Sequence, residues 1–493
     1  MTLRNLSFNG RRTSWLGALA AGALAACGQA PINQGGLTFV GLVAGYLLFT
    51  RAQTAGQGFR IGWLFGAGYF AVALHWIVEP FFVDVAATGW MAPFALFFMA
   101  SGVALFWGVG FAVAQRLAKS PLGWAAAMAL AELLRGYVLT GFPWALPAHS
   151  LVNSVAAQSV AWIGAYGLTF LLLLAAGFVG SLLDNQTRLP ALALGALVVG
   201  LSVVPMPEPT PTTDGPKVRL IQPNAPQVEK WNPKHIETFF DRQLDLTYQG
   251  EVPDVVIWPE TAVATPIPMA DERFERMIAA ARGATVVTGI QRRDGSLTYN
   301  SLVVLDEEVS PVAIYDKHHL VPFGEYMPLG DWLAGYGLRG LAAEDGAGYA
   351  RGPGPITLDI PRLGRALPLI CYEVVFPQDL RTSLRPDVLV QITNDAWFGN
   401  FSGPYQHLAQ ARFRAIEQGL PMLRVANTGV SAAIDSKGRI IDSLPLGQAG
   451  RLDVILPPPG PETVYSRNGD TIILTLLLVL LVFSFLRTYI NTD

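Results

Sequence analysis

Seven long apolar stretches, interrupted only by single charges and tight turns, fill the first 206 residues and confine this part of the chain to a bilayer. A membrane-spanning helix needs about 20 largely apolar residues. Candidates run at roughly 14–31, 35–50, 61–83, 90–115, 122–145, 154–183 and 189–206, and an eighth, free of charge, at 471–486. The first two are short, and Pro31-Ile32-Asn33-Gln34 between them is only a tight turn, so a re-entrant hairpin is the alternative to two full spans. Charged residues make up 14% of the 493-residue chain, against roughly 25% in typical globular domains. Most of them lie in residues 217–465, which read as an ordinary soluble domain. A net charge of −3 gives no reason to expect a nucleic-acid partner.

Basic residues set the orientation of membrane helices. With a cytoplasmic N-terminus, the cytoplasmic segments carry Arg4, Arg11, Arg12, Arg51, Arg60, Arg116, Lys119, Arg188 and Arg487, while the opposite loops at 31–34, 84–89 and 146–153 carry none. Seven crossings then put residues 207–470 outside the cytoplasm, and the eighth returns the C-terminus. Arg11-Arg12 followed by an apolar run and Leu24-Ala25-Ala26-Cys27 looks like a lipoprotein signal peptide. Cleavage there would reverse the parity of the remaining spans and put the basic loops on the wrong side. Cys27 is therefore read as a helix-end residue.

Ionisable residues inside spans are costly and invite a functional reading. Glu132 and Arg135, three apart, share a helix face and can pair, which makes them a lock within the bundle ahead of a substrate site. His75 and Glu79, four apart, are read as packing residues with cavity lining as the alternative.

Pro205-Met206-Pro207-Glu208-Pro209-Thr210-Pro211 is a stiff, extended linker, placed at 207–216. Beyond it, short β-rich runs (Val218–Ile221, Asp254–Trp258, Thr285–Ile290, Ser301–Leu305, Leu367–Ile370, Val388–Thr393) alternate with helix-like stretches at 233–248, 271–282 and 405–418. This predicts an α/β sandwich domain over 217–468, followed by a terminal span and tail at 469–493. Three polar segments follow strand-like runs: Trp258-Pro259-Glu260; Tyr315-Asp316-Lys317-His318-His319-Leu320-Val321-Pro322-Phe323-Gly324-Glu325-Tyr326; and Cys371-Tyr372-Glu373. Each alone is weak, since a glutamate or lysine beyond a strand is usually solvated. In the order Glu, Lys, Cys they form a specific signature. Cys27 and Cys371 are too few for a disulfide framework, which leaves Cys371 as a candidate reactive thiol.

With these segments the domain resembles the nitrilase superfamily, and hence an αββα sandwich. Further segments narrow the resemblance to a membrane-embedded branch, the apolipoprotein N-acyltransferases. They are Gly141-Phe142-Pro143-Trp144 after Glu132 and Arg135, Gln222-Pro223-Asn224 with Trp231, Asn394-Asp395-Ala396-Trp397-Phe398-Gly399, and Asn427-Thr428-Gly429. The resemblance implies a polytopic α-helical bundle of about eight spans carrying the sandwich in the bacterial inner membrane, without cofactor or metal. It implies Cys371 as nucleophile, Glu260 as general base and acid, and Lys317 as oxyanion donor beside the N–H of Tyr372. A phospholipid, typically phosphatidylethanolamine, would donate an acyl chain to Cys371, and the amine of a diacylglyceryl-cysteine apolipoprotein would remove it.

The chemistry favours such a set. A free thiol with pKa near about 8.5 is mostly protonated at neutral pH and needs a base. Glu260 needs burial or a second carboxylate to raise its pKa, and Glu325 and Glu373 are the candidates to supply it. Residues 326–350, apolar and glycine-rich with Trp332 and Tyr336, are a candidate lid, joined by Phe323 and by Trp397-Phe398; an ordinary surface loop is the alternative. His407 is a possible partner for a Cys–His pair, but it opens a helix-like stretch where a structural role is commoner, and no metal set is expected around His318 and His319. The rival readings are a membrane-anchored amidase and a lipid-binding or transport scaffold that has lost catalysis.

Overall fold

A computed structural model describes residues 11–117, 119–183, 200–201, 203–209, 212–307, 309–328 and 348–490. It divides into two compact units: 1–207 with 401–409 and 463–493, and 208–400 with 410–462.

The first unit is helical. Its elements before residue 184 are α1 (Arg11–Ala26), α2 (Gly35–Arg51), α3 (Ala55–Ala73), a 3-10 helix at His75–Phe82, α4 (Val85–Thr88), α5 (Ala92–Leu117), α6 (Pro121–Tyr137) and α7 (Val160–Leu183). The helix Thr471–Ile490 closes the unit. Among the described residues two stretches, Val85–Leu117 and Val155–Leu183, are long and apolar enough to cross a bilayer. A third forms if Ala55–Ala73 and His75–Phe82, bent by 47°, act as one span; Ser14–Ala26, Gly35–Arg51 and Thr471–Leu486 are shorter apolar helices.

These elements differ from the expected spans in ways the backbone explains. The stretch expected at 61–83 breaks after Ala73, and Pro80, which has no N–H for the carbonyl of Trp76, lies inside a tighter 3-10 segment. The stretch expected at 122–145 stops at Tyr137, because Val138 is extended and Leu139 and Gly141 adopt left-handed φ of 62° and 71°. Most of the stretch expected at 189–206 lies outside the described residues.

With no hydrophobic drive between helices in lipid, close backbone approach and buried polar contacts hold such a bundle. A Cβ on Gly22 would lie 1.9 Å from the Phe65 carbonyl oxygen, so α1 and α3 touch through backbone. Phe65, Tyr69, Phe70 and Trp107 stack between α3 and α5 with ring centroids 4.9–5.2 Å apart. Glu132 and Arg135 form an ion pair and are fully buried. Trp107 Nε1 donates to Glu132, and Arg135 donates to the carbonyls of Phe142 and, at 2.9 Å, Trp144, so the pair also fixes the loop after α6.

The second unit is built on two sheets. Their strands are β1 (Lys217–Gln222), β2 (Val255–Ile257), β3 (Val263–Ile267), β4 (Thr285–Asp294), β5 (Leu297–Leu305), β6 (Ala313–Asp316), β7 (Leu358–Ile360), β8 (Gly364–Ile370), β9 (Val388–Thr393), β10 (Met422–Ala426), β11 (Ser431–Ile434), β12 (Ile440–Leu444) and β13 (Gly450–Ile455). One sheet runs β13-β1-β2-β4-β5-β6 with β3 beside β4, the other β12-β11-β10-β9-β8-β7. The pairs β1–β2, β2–β4, β3–β4, β8–β9 and β9–β10 are parallel and the remaining pairs antiparallel.

The continuous apolar runs reflect burial on both faces of a strand. Alternate residues point opposite ways. Val218, Leu220, Val255, Ile257, Val287, Leu302 and Val304 therefore face the second sheet, where they meet Ile370, Val388, Val390, Ile392, Leu423 and Val425. Ile221, Val256, Trp258, Val286, Ile290 and Val303 face the other way, onto Phe240, Phe274 and Met277 of the helices Ile236–Tyr248 and Asp271–Ala281. Each such aliphatic side chain contributes about 1.5–3 kcal/mol on full burial. The sheet edges and turns thereby become rigid platforms for the polar segments that follow them.

Candidate active site

Glu260 lies three residues beyond β2, Lys317 immediately after β6 and Cys371 immediately after β8, so the first two come from one sheet and the cysteine from the other. All three are buried, at 6%, 1% and 5% exposure. Glu260 leaves its strand through a tight turn in which Thr261 takes a left-handed φ of 46°. Gly289 on β4 lies directly beneath. A Cβ there would come within 2.6 Å of the Pro259 oxygen and the Thr261 nitrogen, so only glycine fits under this turn.

Lys317 Nζ lies 2.8 Å from Glu325 and 3.9 Å from Glu260 Oε1. Asn300 Nδ2, on β5, donates to Glu260 Oε1 at 2.7 Å and to Glu325 Oε1 at 3.3 Å. Glu325 Oε2 in turn accepts from the backbone N–H of Val321, which folds the loop after Lys317 back on itself. Burial raises the pKa of Glu260, Lys317 opposes, and Glu325 adds to the rise. Burial works against the Lys317 charge, but Glu325, Glu260 and Cys371 together carry its pKa well above normal. The Cys371 thiol is pushed up by burial and then by Glu260, with Lys317 opposing. At rest the sulfur therefore keeps its proton, and a thiolate arises only as the proton leaves for a base.

Cys371 takes a left-handed φ of 51° at the start of the 3-10 turn Cys371–Val375. Such backbone costs about 1–3 kcal/mol and persists only where its surroundings enforce it. Gln391 Nε2 holds the Cys371 carbonyl at 3.2 Å, and Gln391 is itself fixed by Arg424, which pairs with Asp395. Glu373 accepts from the N–H groups of Ile370 at 2.7 Å and His318 at 2.8 Å and from the Tyr315 hydroxyl at 2.9 Å.

The two carboxylates expected to act on Glu260 thus separate. Glu325 does act on it. Glu373 instead ties the loop carrying Lys317 to the turn carrying Cys371, because its oxygens are taken up by donors on both. The histidines also differ from expectation. Nitrogens of His318 and His319 and a carboxylate oxygen of Asp379 lie within 4.8 Å of one another, a set able to hold a metal ion that the sequence reading did not anticipate. Asp379 is distant in sequence and reaches them only through the fold. Its oxygen lies 2.7 Å from His319 Nδ1 and 3.4 Å from His318 Nε2, and His318 Nδ1 lies 2.7 Å from Glu373. Although burial opposes it, hydrogen bonds to Asp379 and Glu373 raise the His318 pKa to about 9.

His407 is buried in the helical unit, its ring stacked on Trp144 at 5.5 Å. His75 contacts the Val72 carbonyl and Ser402. The Cys27 thiol donates to the Ala23 carbonyl just beyond α1. Of the candidate lid and substrate-contacting residues, Phe323 is 57% and Trp231 37% exposed, Trp397 and Phe398 are half-buried with Phe398 against the core, and Trp332 and Tyr336 lie outside the described residues. Tyr372, beside Cys371, is buried against His319 and Phe376.

Sequence reasoning missed Lys230. It is buried, donates to the Glu260 carbonyl at 3.0 Å and the Thr261 hydroxyl at 2.6 Å, and stands above Trp231. Asn300 was missed as well, since one asparagine in a strand carries no motif.

The family profile of the apolipoprotein N-acyltransferase N-terminal domain matches residues 21–178, and that of carbon-nitrogen hydrolases matches residues 230–456. An apolipoprotein N-acyltransferase from Rhodopseudomonas palustris is 36% identical, covering 94% of this chain and 94% of its own length. The chain belongs to the apolipoprotein N-acyltransferase family. Members from Caulobacter vibrioides, 37% identical over 95% of this chain and 94% of theirs, and Bradyrhizobium diazoefficiens, 38% identical over 92% and 91%, are similar along nearly their whole length. Among solved structures, an amidase from Nesterenkonia sp. is 18% identical, covering 54% of this chain and 98% of its own with a TM-score of 0.38.

Proposed function

We propose that the chain is the N-acyltransferase of lipoprotein maturation, working through a Cys371 thioester with Glu260 as proton carrier and Lys317 as oxyanion donor. The observation that carries this reading is the convergence of the three groups, buried and electrostatically coupled, in a chain of this family. Cys371 Sγ attacks the sn-1 ester carbonyl of a phospholipid, typically phosphatidylethanolamine, as its proton passes to Glu260. Lys317 and the N–H of Tyr372 hold the oxyanion. Collapse expels the lysophospholipid alkoxide, which takes the proton from Glu260, leaving acyl-Cys371. The α-amino group of a diacylglyceryl-cysteine then attacks, Glu260 accepts its proton, and collapse releases the thiolate and the amide. One site serves two substrates in turn, which gives ping-pong kinetics. A covalent intermediate divides one hard step into two easier ones.

Both substrates live in the bilayer, which accounts for a hydrolase-like domain joined to apolar helices. The charge asymmetry of the helix-flanking segments supports eight spans, with the bundle at 1–206, the linker at 207–216, the catalytic domain at 217–468 on the periplasmic side, and a final helix at 469–493 returning the C-terminus to the cytoplasm of a bacterial inner membrane.

Mass spectrometry of the purified chain incubated with phospholipid tests the mechanism. An acyl adduct on Cys371, removed by a diacylglyceryl peptide amine and absent from Cys371→Ala, is the expected result. Lipid consumption without adduct would defeat the thioester. Adduct loss to water faster than to peptide would identify a hydrolase, and function retained by Cys371→Ala would identify a scaffold.

A further inference from the structure

We propose that Lys230 is a positioning residue of the acyl-transfer site, whose ammonium clamps the Glu260–Thr261 turn and balances the charge around Cys371; the proposal builds on the thioester reading above.

The placement is unusual. Lys230 ends the four-residue helical turn Gln227–Lys230, where Val228 is 68% exposed and Lys230 only 8%. The apolar residue faces out and the charged one faces in, the reverse of ordinary preference. Among the described residues no carboxylate lies within ion-pair distance of this ammonium, and its hydrogen-bond acceptors are neutral, the Glu260 carbonyl and the Thr261 hydroxyl. Burying a charge on neutral acceptors is expensive unless another group gains from it.

The gain falls on two features of the site. The first is geometric. The two acceptors belong to Glu260 and to Thr261, the residue with left-handed backbone, so the ammonium holds the turn that aims the Glu260 carboxyl. The second is electrostatic. Glu260 and Glu325 carry two negative charges when ionised, and Lys317 supplies one positive. Without a further cation this buried group has a net negative charge at the place where a second anion, the thiolate, must form. Lys230 brings it to neutrality. The fields of Glu260 and Cys371 both reach its ammonium. Burial lowers the Lys230 pKa to about 8, with Glu260 and Cys371 resisting. Of the charged groups on the neighbouring elements, Arg273 pairs with Glu237 and His235 with Glu229, while Arg242 donates to the Pro223 carbonyl.

The test uses the full chain in detergent–phospholipid micelles, in a Cys27→Ser background so that iodoacetamide reports only on Cys371. The alkylation rate is measured against pH for the parent, Lys230→Met, Lys230→Arg and Thr261→Val, with a thermal melt of each. Lys230→Met should lower the rate at pH 7 about 10- to 100-fold, in the range of a misplaced base or a lost charge. It should also move the acid limb of the profile up by about one pH unit, because Glu260 then holds its proton more tightly. Lys230→Arg keeps the charge and should recover most of the rate. Thr261→Val removes one acceptor and leaves the charge, so it should slow alkylation about 3- to 10-fold without moving the limb. A folded Lys230→Met with the parental rate and limb would overturn the proposal. If Lys230→Met does not fold, parental behaviour of Thr261→Val together with a Lys230→Arg rate more than about 100-fold down would overturn it. A parent that takes no acyl group from phospholipid defeats the thioester reading, while the alkylation profiles still decide the role of Lys230.

Discussion

Replacing Glu373 with alanine should damage the fold and the site together. The carboxylate is fully buried and accepts from the Ile370 N–H at 2.7 Å, the His318 N–H at 2.8 Å and the Tyr315 hydroxyl at 2.9 Å. Alanine removes the acceptor of these donors and of the His319 N–H at 3.3 Å, besides the His318 Nδ1 contact at 2.7 Å, and each buried donor left unpaired costs about 1–3 kcal/mol. Water entering the vacated space recovers part of this, so a net loss of about 3–6 kcal/mol is expected. At about 2–4 °C per kcal/mol for a domain of this size, the melting temperature should fall by roughly 6–24 °C. Glu373→Gln keeps the shape but turns an amide N–H toward a donor, and should fall between alanine and the parent. Intrinsic-fluorescence melting in detergent gives the stability, and the Cys371 alkylation rate on the surviving folded fraction gives the alignment of the two loops. A shift below about 3 °C for the alanine variant, with unchanged alkylation, would refute the assignment of Glu373 as the tie between them.

Gly289→Ala should distort the Glu260 turn, since its methyl would meet backbone at 2.6 Å; alkylation should drop at least about tenfold while the sheet keeps its circular-dichroism signature. Asn300→Asp sets a third carboxyl beside Glu260 and Glu325, so the acid limb of acyl-Cys371 formation should move to higher pH, measured by rapid quench and mass spectrometry. His318 has a folded pKa raised to about 9. Its stabilisation is therefore complete below the unfolded value near 6.5 and is lost as pH rises through about 9. Melting temperature should decline across that window in the parent and markedly less in His318→Gln.

Much of the site was legible because Lys317 and Cys371 directly follow strands and Glu260 lies three residues beyond one. Val255–Ile257, Ala313–Asp316 and Gly364–Ile370 mark strand ends, and α/β chemistry concentrates there. The division of labour between Glu325 and Glu373 was not legible. Both lie close in sequence to a residue of the proposed triad, and only the fold shows that the donors around Glu373 come from two different segments. Lys230 escaped for a related reason. A lysine after Gln227-Val228-Glu229 reads as solvated, and its burial depends on the Glu260 turn 30 residues further on. In the helical unit, apolarity located the helices, while their ends followed local backbone chemistry: Pro80 within the 3-10 segment, and the left-handed Leu139 and Gly141 after α6.

The two-sheet origin of the site has a consequence for how such a chain is made. Cys371 belongs to the same buried cluster as Val218, Val287 and Ile392, so its surroundings come into being only when the sheets close on one another. Glu260 and Lys317 emerge during synthesis before Cys371, and β9 and β10, which flank and brace it, emerge after. During synthesis the Cys371 thiol is thus made before its bracing strands, and Glu260 and Lys317, already made, meet it only as the sheets close. On the proposed mechanism, reactivity toward acyl esters therefore waits for the last stage of assembly.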